Sequence, residues 1–139
     1  MTRQGLLDTS TLVLLGRIED VTTLPDEPVI CTISLAELSV GPLVATTRVA
    51  RAARQAHLQQ AEADFEALPF DAAAARAFGR VASSLREHGR KPAARAFDAL
   101  IAAVALSQDL PVYTCNPDDF VGIDDLVVHE VPVPGGAIQ

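Results

Sequence analysis

A chain of 139 residues is one domain of ordinary size, long enough to bury roughly 70% of its unfolded surface. Its residues are 49% hydrophobic but only 4% aromatic, so the core must be built from Ala, Val, Leu and Ile, and no run approaches the ~18 apolar residues of a membrane span. The net charge of −7 excludes a protein that coats nucleic acid by bulk electrostatics.

The charge is unevenly spread. Ala72 to Phe97 holds six basic residues (Arg76, Arg80, Arg86, Arg90, Lys91 and Arg95) against Glu87 alone, a local +5 that leaves −12 for the remainder. Arg48, Arg51 and Arg54 recur every three residues on one helical stretch. Solvated helix faces account for such runs as readily as a polyanion partner does. Met1 to Gln4 leads directly into the first apolar run, so no signal peptide is expected. With two cysteines in the chain, a cytoplasmic, reducing location is expected.

In chain order, Gly5-Leu6-Leu7 reads as a buried strand that stops on Asp8, and Thr9 to Arg17 as a helix. Glu19 to Pro28 is a polar connection. The β-branched run Val29 to Ile33 predicts a second strand, and Ser34-x-x-Glu37 opens a helix that should end near Gly41-Pro42. Thr46 or Thr47 caps a long helix to about Phe65, and Leu68-Pro69-Phe70 is a short third strand at most. Asp71 caps the next helix, with Ala74, Ala77, Phe78, Val81 and Leu85 at helical spacing and Gly89 closing it.

Pro92 suits the first position of another helix, whose buried stripe is Phe97, Leu100, Ile101, Val104 and Ala105. Pro111 to Cys115 is a fourth strand, Pro117 to Phe120 a helical turn and Leu126 to Glu130 a fifth strand. One domain is therefore expected through residue 131, followed by a loose tail over 132–139 that its prolines and glycines keep out of any ladder. Strands alternating with helices give an α/β fold, a parallel sheet of four or five strands covered on both faces.

In such a sheet, chemistry collects outside the carboxyl ends of the strands. Asp8 ends the first strand, Glu37 follows the second by four residues, and Asn116, Asp118 and Asp119 follow the fourth. Asp98 is expected in mid-helix beside the buried stripe. A bland role exists for most of them: Ser34-x-x-Glu37 is also a capping box, Asn116-Pro117-Asp118-Asp119 an ordinary helix start, and Asp8 or Thr9 a cap. Asp98 could pair with Arg95. A cluster of carboxylates repels itself, and a hard divalent cation with oxygen ligands resolves the repulsion. His57, His88 and His129 have no partner pattern that would support a histidine mechanism.

Four segments carry a resemblance: Leu6-Leu7-Asp8-Thr9-Ser10, Ser34-x-x-Glu37-Leu38, Phe97-Asp98-Ala99-Leu100-Ile101-Ala102-Ala103 and Tyr113-Thr114-Cys115-Asn116-Pro117-Asp118-Asp119-Phe120. As an ordered set spread over nearly the whole chain, they resemble PIN-domain ribonucleases, specifically the VapC toxins of type II toxin–antitoxin pairs. The resemblance implies sheet order 3-2-1-4-5, a metal-dependent endoribonuclease, a homodimer and a cognate antitoxin that blocks the cleft. It implies Asp8 and Asp98 as ligands of Mg²⁺ or Mn²⁺, with Glu37 completing the acidic cluster directly or through water.

By the same resemblance Asp119 joins the catalytic acids, with Ser10, Thr114 and Asn116 in support. Asn116 stands where many relatives carry Asp, which bears on any second metal. Arg90, Lys91 and Arg95 are the candidates for guiding the RNA backbone. In the implied strand order, Cys31 and Cys115 lie about 9–10 Å apart, beyond disulfide reach. The contrary reading is a PIN-like module that binds RNA or protein without cutting. A phosphatase using Asp8 as nucleophile lacks the second Asp, which is Ser10 here.

Overall fold

The structure, a computed structural model, describes residues 3–135. Five parallel strands form one sheet in the order β3-β2-β1-β4-β5, as the resemblance implied. They are β1 (Gln4–Leu7), β2 (Glu27–Cys31), β3 (Ala67–Leu68), β4 (Val112–Thr114) and β5 (Val128–Glu130). The helices are α1 (Thr9–Leu14), α2 (Thr32–Val44), α3 (Arg48–Asp64), α4 (Ala72–Glu87) and α5 (Ala96–Ser107). None of the helices among the described residues is long and apolar enough to cross a membrane.

The alternation of a strand's side chains divides the core. Leu6, Val29 and Val112 share one face of the sheet and pack with Val81, Leu85, Ile101 and Val104 of α4 and α5. Leu7, Ile30 and Tyr113 share the other, with Leu12 of α1 and Ala61 of α3. Leu6 aligns with Val29 on one side and Val112 on the other, so β1 is central and both its faces must be apolar. Its small residue has a steric role. A Cβ on Gly5 would stand 2.3 Å from Cε1 of Tyr113, so the ring closes over the backbone only because glycine is there.

Several boundaries differ from the sequence reading: β2 already begins at Glu27, β3 is Ala67–Leu68, α1 stops at Leu14 and β5 begins at Val128. Residues Thr32 and Ile33 leave β2 and open α2, because the strand stops at Cys31 where pairing with Leu68 ends. α2 also runs through Gly41 and Pro42 to Val44. Pro42 is buried, and Arg54 of α3 donates to the Gly41 carbonyl at 3.0 Å, so packing within the α2–α3 hairpin outweighs the lost backbone bond. Finally, Pro92–Arg95 is a separate 3-10 turn, and non-helical backbone at Arg95 restarts the helix at Ala96.

Val131 and Val133 are both buried in the Leu7 cluster, which carries packing two residues past the expected boundary at 131. Residues 136–139 lie outside the described residues. Cys31 and Cys115 are free, buried thiols, and burial pushes both above the usual range for the group.

Candidate active site

Asp8 follows the last residue of β1 and is the N-cap of α1, accepting from the Thr11 backbone N–H at 3.0 Å. Its capping role is therefore real, but it uses only part of the carboxylate. The side chain is 1% exposed. Oδ1 also accepts from Thr11 Oγ1 at 2.8 Å and Ser10 Oγ at 2.9 Å, and Oδ2 from Thr114 Oγ1 at 2.6 Å. Burial nevertheless raises its pKa, against the lowering by Thr114, Thr11 and Ser10. Asp8 is thus a buried carboxyl gripped by donors that follow β1 and end β4.

Glu37 is held differently. With α2 beginning at Thr32, Ser34 and Glu37 are too far into the helix to form a capping box. Thr9 Oγ1 donates to Glu37 Oε1 at 2.5 Å and stands 2.8 Å from Ser34 Oγ. A threonine hydroxyl has one proton, and here it goes to Glu37, so Ser34 donates to Thr9. Burial first and then the nearby Asp8 raise the Glu37 pKa, while Thr9 lowers it.

Asp98, expected in mid-helix, lies in the first turn of α5, where the dipole favours an acid. Its pKa is nonetheless raised to about 7, by burial first and then by Asp119, Asp8 and Glu37, with Arg95 opposing. Three like charges thus bear on one half-buried carboxyl. The rival role for Asp98, an ion pair with Arg95, is not formed: Arg95 pairs with Asp119 instead.

Asn116 precedes the turn Pro117–Phe120 but makes no side-chain cap bond there. Its backbone N–H donates to Thr114 Oγ1 at 2.9 Å, fixing the hydroxyl that holds Asp8. Asp8, Glu37, Asp98, Asn116 and Asp119 all line one cavity of about 460 Å³, with Thr9, Ser10, Val13, Leu14 and Arg17. These five side chains therefore share a wall rather than pointing apart, whereas Asp118, named beside them from the sequence, lines a separate cavity with Arg90 and Arg95. Among the described residues, Asp119 alone of the four acids is paired with an arginine.

No group of three His, Cys, Asp or Glu among the described residues is placed so that it could hold a metal ion unaided. The donors still suit a hard cation that keeps several waters and takes one or two carboxylates plus substrate phosphate. All are oxygen, Asp8 is buried, Glu37 and Asp98 are half-buried, and Asp98 keeps its proton to about pH 7 even with Arg95 opposing.

Of the backbone-guiding candidates, Arg90 does not reach the cavity. It follows the Gly89 turn that closes α4 and donates to the Val121 carbonyl at 2.9 Å, a strap between helix and loop. Lys91 is exposed and outside the cavity lining. The histidines are employed elsewhere: His57 on the Leu12 carbonyl, His88 on Asp124, and His129 against the Tyr113 ring. Sequence reading missed Thr9, Thr11 and Arg17. The run of hydroxyls after Asp8 was a signal for the first two, whereas nothing local marks Arg17.

The PIN domain profile matches residues 6–126. The chain is 43% identical over 129 residues, 91% of its length and 93% of the relative's, to Ribonuclease VapC5 of Mycobacterium tuberculosis (strain ATCC 25618 / H37Rv). It is similar to the crystal structure of VapBC-5, a member of the VapBC family of toxin-antitoxin systems from Mycobacterium tuberculosis: TM-score 0.79, 41% identity, covering 94% of this chain and 98% of that one. FitAcB from Neisseria gonorrhoeae is similar at TM-score 0.73 and 26% identity, covering 90% and 96%.

Proposed function

Because the chain belongs to the PIN-domain family, among its VapC ribonucleases, we infer that it is a metal-dependent endoribonuclease acting as the toxin of a type II toxin–antitoxin pair. The carrying observation is that Asp8, Glu37, Asp98 and Asp119 line one cavity, where burial and the three neighbouring carboxylates raise the pKa of Asp98. Asp8 and Asp98 would hold Mg²⁺ or Mn²⁺, with Glu37 directly or through water, and the ion would supply a more acidic water and charge neutralisation on the scissile phosphate.

The chain's own groups then divide the work. Glu37, fixed by the Ser34–Thr9 hydroxyl relay, accepts the proton of the attacking water. Asp119, held in place by its pairing with Arg95, orients that water. Water oxygen bonds to phosphorus as the P–O3′ bond breaks, and the departing O3′ takes a proton from solvent water, leaving a 5′-phosphate and a 3′-hydroxyl. A cognate antitoxin is the expected protein partner, and a guanidinium from it would fit the cluster as Arg95 already fits Asp119. The exposed Val40, Leu43, Val44 and Val49 of the α2–α3 hairpin support a homodimer.

Asn116, together with the absence of a closed triad among the described residues, favours a second reading: a module that binds RNA without cutting. Incubation of the purified chain with structured RNA and Mn²⁺ separates the two. Cutting that Asp8→Asn and Asp98→Asn each abolish, with folding retained, supports the nuclease. Binding without cleavage at any Mn²⁺ or Mg²⁺ concentration supports the module.

A further inference from the structure

Arg17 ends the 3-10 turn that extends α1, and it lines the cavity that holds the four acids. Its side chain is exposed and makes no ion pair or hydrogen bond among the described residues. The other candidate guanidiniums are committed: Arg90 to the Val121 carbonyl, Arg95 to Asp119, Arg54 to the Gly41 carbonyl. The backbone under Arg17 is anchored, because the Ile18 N–H closes the turn on the Leu15 carbonyl at 3.2 Å and the Ile18 side chain is buried in the core.

A cavity with four carboxylates repels a polyanion. Even with a bound cation offsetting part of that charge, RNA must cross the rim before its scissile phosphate reaches the centre. An uncommitted arginine on an anchored turn presents a planar fork suited to two oxygens of one phosphate, with little ordering left to do. Val13 and Leu14, one turn back on the same wall, offer apolar surface to a sugar or base face.

We propose that Arg17 positions the RNA at the cleft by holding a backbone phosphate neighbouring the one that is cut. The assignment rests on the ribonuclease reading and moves the guiding role from Arg90 and Lys91 to the first helix.

The test uses the full chain with a labelled RNA in Mn²⁺, comparing wild type, Arg17→Lys and Arg17→Ala. Cleavage is followed for KM and kcat, and binding by fluorescence anisotropy at several salt concentrations. Arg17→Ala is expected to raise KM about tenfold with kcat nearly unchanged. It should flatten the plot of log affinity against log salt by about 0.7, one single-strand phosphate contact. Arg17→Lys should restore most of the salt slope but only part of KM, since it keeps the charge and loses the fork.

Unchanged KM and unchanged slope in a wild type that cuts would overturn the Arg17 role and leave the ribonuclease standing, as would a loss confined to kcat. If wild type binds without cutting, the ribonuclease reading falls, and the anisotropy slopes alone decide Arg17. If wild type neither cuts nor binds, both fall.

Discussion

Arg95 gives its guanidinium to Asp119, not to Asp98 three residues further along its own segment. The pairing lies between a turn that follows β4 and the turn that opens α5, and it leaves Asp98 as the acid with the most strongly raised pKa among them. Among the described residues, one carboxylate of this cluster is paired with a cation and three are not.

Arg95→Gln is therefore expected to tighten Mn²⁺ binding by roughly threefold, the effect of removing one charge several ångströms away at a wet site. Asp98 should titrate higher than about 7 in the variant, because Arg95 is what lowers it. Calorimetry for the ion and NMR titration of the carboxyl carbon check the two halves. Weaker Mn²⁺ binding would mean that Arg95 supports the site rather than competing for it.

The pH dependence has a definite sign. Asp98 keeps its proton to about 7 in the folded chain, against roughly 3.9 when unfolded. The folded state thus binds more protons between those values, so this contribution to stability is complete below the unfolded pKa and is lost as pH rises through 7. Burial shifts Asp8 and Glu37 in the same direction. In chelator, the stability advantage of Asp98→Asn over wild type should grow from pH 5 to pH 8, by less than the full shift would give because the group is half exposed. Thermal midpoints check it, and an advantage that shrinks with pH would refute the crowding.

Removing the hydroxyl that holds Glu37 separates position from charge. Thr9→Val leaves Ser34 without its acceptor and Glu37 without its donor, and should lower kcat about ten- to a hundredfold while KM holds. Thr9→Ser, which keeps the hydroxyl, should recover most of the rate. Equal losses in both variants would show that packing, and not the relay, matters.

Gly5→Ala tests the central strand. The added methyl would meet Tyr113 Cε1 at 2.3 Å and Pro25 Cβ at 3.0 Å, and Tyr113 itself is buried, so the ring has little room to yield. Overpacking of this kind costs about 1–3 kcal/mol. Urea unfolding measures it directly, and a change below about half a kcal/mol would show that the ring moves freely.

Legibility followed the range of the interaction. Asp8 could be placed because an apolar run ends on it, and strand alternation is local. Glu37 was identified, but the start of its helix was read two residues late because Thr32 and Ile33 have the β-branched side chains of a strand. Pro42 signals a helix end, and only packing on α3 shows why the helix continues. The partners of Arg90 and Arg95 lie 31 and 24 residues away, and no local pattern encodes such choices. Thr9 and Thr11 resemble ordinary helix-start residues until the fold brings Glu37 and Asp8 to their hydroxyls.

The most direct measurement is calorimetric titration of the full chain with Mn²⁺ at pH 6 and pH 8, alongside Asp8→Asn and Asp98→Asn. Wild type should bind with release of protons at pH 6 and about tenfold more tightly per pH unit up to near 7, where Asp98 loses its proton unaided. Each variant should lose the binding. Equal Mn²⁺ affinity in wild type and both variants, or no pH dependence at all, would contradict a cation site built from these carboxylates.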